Sequence, residues 1–135
     1  MLVPPPADTL PILKRSPAVK HLAILAVTLT LASPSFANIP KVVAARAIHT
    51  GKTWRFDVTL KHADEGWQHY ADGWSILDDK GNLLGHRRLL HPHVDEQPFT
   101  RSLGNVPIPR GVTHVLIRPH DLVHGDGPDF PLDLK

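Results

Sequence analysis

Nine consecutive residues, Thr53 to Lys61 (TWRFDVTLK), put Trp54, Phe56, Val58 and Leu60 on one face and Arg55, Asp57, Thr59 and Lys61 on the other. A period of two is the mark of a half-buried antiparallel strand, because successive side chains of a strand point to opposite faces. Nothing beyond residue 37 sustains the helical alternative, whose apolar stripe recurs every three to four residues. Trp74 to Leu77 and Leu83 to Arg88 flank DDKGN, an acidic turn with Gly81 near its end, and read as a hairpin. Thr113 to Arg118 (THVLIR) is a further strand, with Val115 and Ile117 on one face. Weaker strand signals cover Val42 to His49, Phe99 to Leu103 and Phe130 to Leu134. Short strands separated by regular turn signals predict a single antiparallel β-sandwich of immunoglobulin or fibronectin III character with about seven strands, a small closed barrel being the alternative.

The first 37 residues do not belong to that pattern. Lys14, Arg15 and Lys20 precede an apolar run from Leu22 to Ala32, and Ser35-Phe36-Ala37 supplies the small residues that a signal peptidase reads. An 11-residue run is too short to span a bilayer, which takes roughly 20. The expectation is a signal peptide over residues 1–37, with an over-long start, followed by one domain over residues 38–135, located in the periplasm or secreted and without a membrane span after cleavage. Of the 15 basic residues three lie in the leader, and of the 13 acidic residues one, Asp8. Twelve of each remain, so the formal charge falls from +2 to zero. The basic balance belongs to the leader and gives no support to nucleic-acid binding, which needs a clustered basic surface.

There is no cysteine, and the single Met is the initiator. Disulfides, thiolate metal sites and cysteine catalysis are excluded, and a methionine-rich copper(I) carrier is disfavoured. Histidine is abundant instead: only His21 of the ten falls in the leader. Three polar segments between strands, HADEGWQHYADGW (62–74), HPHVDEQPFTRS (91–102) and HDLVHGDG (120–127), hold His62, His69, His91, His93, His120 and His124. Loops of a sandwich gather at its ends, so residues distant in sequence meet there.

In an extended backbone residues i and i+2 share a face, and Pro92 biases His91 toward that geometry, so His91 and His93 form a two-tooth chelator. Imidazole suits zinc and copper(II), with further ligands from His62, His69, His120, His124 or the carboxylates of Asp64 and Asp95. The competing reading is that the histidines bond loop carbonyls and brace the corners. Asp64, Glu65, His69 and Asp72 place carboxylates near an imidazole, as general acid/base chemistry requires, but no nucleophile accompanies them and catalysis is not the expectation. Trp67, Tyr70 and Trp74 are expected to plug the core, the alternative being a ligand-stacking surface. Arg101 is expected to bridge Asp95 or Glu96. Neither glycine-rich phosphate-binding pattern is present.

The stretches Trp54 to Trp74, Leu84 to Leu103, Val106 to Pro109 and Asp121 to Gly125 together resemble a group of small exported bacterial proteins carrying HADEGWxHYADGW and HPHVDEQPFTRS-type motifs. That resemblance implies export and one domain, and brings no activity with it. Two functions follow from the residues: an exported protein holding copper(II) or zinc through loop histidines, or a non-catalytic accessory module whose loops meet a protein or glycan partner.

Overall fold

The computed structural model describes residues 2–5, 7, 14 and 38–135. The chain divides into two compact units, Met1–Ser33 and Pro34–Lys135, and all structure described below lies in the second. The expected leader, with its apolar run and cleavage sequence, lies almost wholly outside the described residues.

Among the described residues there are eight strands and no helix. They are β1 (Lys41–Thr50), β2 (Thr53–Lys61), β3 (Ala71–Leu77), β4 (Leu83–Arg88), β5 (Phe99–Val106), β6 (His114–Asp121), β7 (Gly125–Asp126) and β8 (Phe130–Asp133). One sheet has the order β1-β2-β5. The second has the order β4-β3-β6, with β7 and β8 both pairing with β6. All pairings are antiparallel. β7 and β8 meet the same edge of β6, opposite β3, and act as one interrupted seventh strand. The two antiparallel sheets make the β-sandwich that the strand pattern predicts.

Local chemistry explains the turns. β1 and β2 are joined by Gly51 and Lys52, with Gly51 at a φ of 62°, a region glycine enters without a Cβ clash. In the β3–β4 hairpin, Asp78 Oδ1 accepts the amides of Lys80 and Asn82 at 2.9 and 2.8 Å, while Oδ2 accepts Asn82 Nδ2 at 2.8 Å. These bonds hold the Asp78 pKa below the usual carboxylate value, the Asn82 side chain contributing most.

The core lies between the sheets. Phe56, Val58 and Leu60 of β2, Trp74 and Ile76 of β3, Phe99 of β5, and Val115 and Ile117 of β6 are all buried in one cluster. Burying such a side chain contributes roughly 1.5–3 kcal/mol. Trp74 is the largest buried side chain, but Trp67 is 67% exposed. The expectation that Trp67 plugs the core is therefore corrected: it sits in the loop before β3 and stacks edge-on to Tyr70 at 5.9 Å.

Gly127 marks the break between β7 and β8. A Cβ there would meet the Pro40 carbonyl oxygen at 2.1 Å, so only glycine lets the segment leading into β1 cross this close. That crossing holds Asn38, Ile39 and Pro40 against the end of the sandwich described next.

Candidate metal centre

Both inner faces end in charge. The buried alternation of β2 runs on past its end, from Phe56, Val58 and Leu60 to His62 and Asp64, all 6% exposed or less. That of β6 runs Val115, Ile117, Pro119 and Asp121, the last with no exposure. A carboxylate and an imidazole thus occupy core positions on facing sheets, where each needs partners because burial removes its water.

Asp121 divides its two oxygens. Oδ1 accepts the main-chain amides of Val123 and His124 at 2.8 and 2.5 Å. Oδ2 faces three imidazole nitrogens: His62 Nε2 at 3.2 Å, His124 Nδ1 at 3.2 Å and His69 Nε2 at 3.5 Å. Burial works to raise the Asp121 pKa, but the His124 and Val123 amides, the His124 ring and the His62 charge outweigh it. The group stays an anion below the ordinary carboxylate value.

The His62 ring faces more acceptors than a neutral imidazole has N–H groups. Its Nδ1 lies 2.5 Å from Asp64 Oδ1, while Nε2 faces the Asn38 carbonyl at 3.1 Å as well as Asp121. Every neighbour is an oxygen acceptor, and a neutral imidazole has one N–H. Two states resolve this: an imidazolium between two aspartates, or a cation held at Nε2 with the Nδ1 N–H donating to Asp64. Donation from the second ring nitrogen to a carboxylate is how metal-bound histidines are ordinarily oriented. Asp64 is itself fixed, taking the Ala71 amide on Oδ1 at 3.0 Å and the His93 amide on Oδ2 at 2.7 Å.

His69 repeats the arrangement. Nδ1 is 3.1 Å from Glu65 Oε2, and Nε2, buried, has no hydrogen-bond partner, its approach to Asp121 being too long for one. Burial lowers its pKa, but the Glu65 and Asp121 carboxylates win and the net direction is upward. The ligating atoms of His62, His69 and Asp121 all lie within 4.8 Å of one another, a group that does not include His124. Donor atoms around a tetrahedral ion with bonds of roughly 2.0–2.2 Å stand about 3.3–3.6 Å apart. The three Asp121 Oδ2 separations lie at or just under that range.

The residues expected from the sequence fall into three places. His62, His69 and His124 converge on Asp121; Asp64 stands behind His62 as its hydrogen-bond acceptor. His93 lies beyond Asp64, stacked on Phe99 at 3.8 Å, its Nδ1 3.9 Å from Asp64 Oδ2 and both ring nitrogens without a partner. Burial, with Arg101 and His91 adding to it, holds the His93 pKa below its ordinary value. His91 is exposed, its ring 4.5 Å from that of His93 and its Nδ1 bonded to the Pro92 carbonyl. His120 bonds Asp72, Nδ1 to Oδ1, at 2.5 Å. The one close group of three ligating side chains among the described residues includes neither His91 nor His93. Arg101 pairs with Glu96 at 3.3 Å.

A protein of Halomicrobium mukohataei named "Putative lipoprotein" is 46% identical to this chain over 77 residues. The match covers 57% of this chain and 37% of that protein, so the chain spans well under half of its relative's length. No family model matches the chain, and no solved structure matches it.

Proposed function

We propose that this chain is an exported, envelope-associated protein that holds one divalent transition metal, zinc or copper(II), between its two sheets, with His62, His69 and Asp121 as ligands and His124 at the rim beside Asp121. One observation carries the reading: a buried carboxylate oxygen faces three imidazole nitrogens, and one of those nitrogens, His69 Nε2, has no other partner. Imidazole nitrogens and a carboxylate oxygen with no thiolate suit zinc or copper(II). Export is supported by the leader pattern of residues 14–37 and by the name of the Halomicrobium relative.

The test is calorimetric titration of the untagged protein with zinc and with copper(II), beside His69→Ala. Binding of one ion per chain, lost in the variant while the circular dichroism of the strands is kept, supports the reading. No binding to the parent protein rejects it.

A second reading has its own support. His120 and His91 each bond a neighbour in the manner of braces. Trp67, Leu90, Val94, Leu122 and Val123 are each at least 48% exposed, all in loops. Under it the loops meet a protein or glycan partner, and removing metal leaves partner capture unchanged.

A further inference from the structure

Asn38 is pinned at the candidate centre by both ends of its side chain. Its Nδ2 donates to the Ala63 carbonyl at 2.6 Å, and its Oδ1 accepts the Ala63 amide at 3.2 Å. These bonds hold the Asn38 main chain beside the residue that follows β2, with the Asn38 carbonyl oxygen 3.1 Å from His62 Nε2. Two electron-rich atoms face each other there if the His62 proton is on Nδ1. A cation between them removes the conflict and makes the Asn38 carbonyl a main-chain oxygen ligand.

A residue's own nitrogen and carbonyl oxygen are separated by three bonds, and they span about 2.7 Å when they lie on the same side. As an internal peptide nitrogen, Asn38 N has no free lone pair to offer. As a chain terminus it becomes an amine, and amine and carbonyl together close a five-membered chelate ring on one ion. The expected leader cut, after Ala37, would create that terminus.

We infer that leader removal completes the metal centre: the freed α-amine of Asn38 joins its carbonyl oxygen on the ion held by His62, His69 and Asp121. The inference rests on the metal reading above and adds to it a site whose affinity depends on processing. An N,O chelate beside imidazoles suits the tetragonal preference of copper(II) more than the tetrahedral preference of zinc. The amine adds a ligand from the edge where Asn38 lies, while His124, whose side chain is 31% exposed, stays at the rim.

The experiment uses the full chain with residues 34–37 replaced by the recognition sequence of a protease that cuts on its C-terminal side, so that the same protein is measured before and after Asn38 becomes the first residue. Among the described residues all eight strands and the core cluster lie beyond the cut, and circular dichroism checks that they persist. Copper(II) affinity is read by competition with a chelator and the ligand set by electron paramagnetic resonance. Cutting is expected to tighten copper(II) by about tenfold or more and to add one nitrogen to the spectrum. Acetylating the new terminus is expected to reverse both. One ion bound with equal affinity and an unchanged spectrum before and after cutting overturns this inference and leaves the metal reading standing. No bound ion in either form overturns both.

Discussion

Asp64 joins two histidines from different loops, taking His62 Nδ1 on one carboxylate oxygen at 2.5 Å and the His93 amide on the other at 2.7 Å. The carboxylate orients a candidate ligand and fastens the 91–98 segment with the same charge. Asp64→Asn keeps the shape but weakens the pull on the His62 Nδ1 proton. Metal affinity should fall by about 10–100-fold with stoichiometry kept, as for other hydrogen-bond partners of metal-bound histidine. Competition titration reads it, and unchanged affinity would remove Asp64 from the centre.

His91 is exposed and bonds only its neighbouring carbonyl. His91→Ala should leave metal affinity as it is and shift stability by no more than about 0.5 kcal/mol. His62→Ala, by contrast, should abolish binding. Calorimetry on both variants separates a centre at Asp121 from one at HPH, since loss in His91→Ala would move the ion there.

Metal affinity should also fall as pH drops, beginning above the ordinary imidazole value of about 6.5 because the His69 pKa is raised, as protons compete for the ligating imidazoles. Affinity flat between pH 8 and pH 5 would contradict histidine ligands.

Far from the centre, Asp57 accepts the Ser102 hydroxyl at 2.6 Å and pairs with Arg46 and Arg55 at 3.0 and 2.9 Å. Ser102 contributes most, and together they lower its pKa to about 2. A pKa depressed by folding stabilises the fold above the unfolded value near 4 and is lost as pH falls through the folded value. Asp57→Asn should cost about 1–2 kcal/mol at pH 7, discounted because both arginines face solvent, with the difference from the parent narrowing between pH 4 and pH 2. Urea midpoints across that range measure it.

Gly127→Ala should destabilise by about 1–3 kcal/mol, since the added methyl meets the Pro40 carbonyl and one strand segment has to move. Because that crossing positions Asn38, the variant should also weaken metal binding. A urea midpoint equal to the parent's would show that the crossing is looser than its geometry.

Much of the fold was legible because strand chemistry is local. The alternation of TWRFDVTLK became β2 with Phe56, Val58 and Leu60 buried, and DDKGN became the β3–β4 turn. Strand ends were less legible. β3 begins at Ala71, inside the segment read as a loop, and β6 runs on to Asp121, because main-chain pairing across the sheet extends them beyond the apolar residues. The histidines were visible, but their grouping was not. HPH is a chelator by local geometry, whereas His69 and His124 meet through the pairing of β3 with β6, and His62 joins them only through the facing of two sheets. Asp121 was missed as a ligand although a signal was present: it continues the inward phase of Val115 and Ile117, and an acidic residue at a core position demands partners.

The most direct test is elemental mass spectrometry of the untagged protein after loading with zinc or copper(II) and extensive dialysis, beside Asp121→Asn carried through the same steps. One metal ion per chain in the parent protein, and none in a folded Asp121→Asn, is the predicted result. A parent protein that retains no metal, or a variant that retains as much as the parent, would contradict a metal centre built on Asp121.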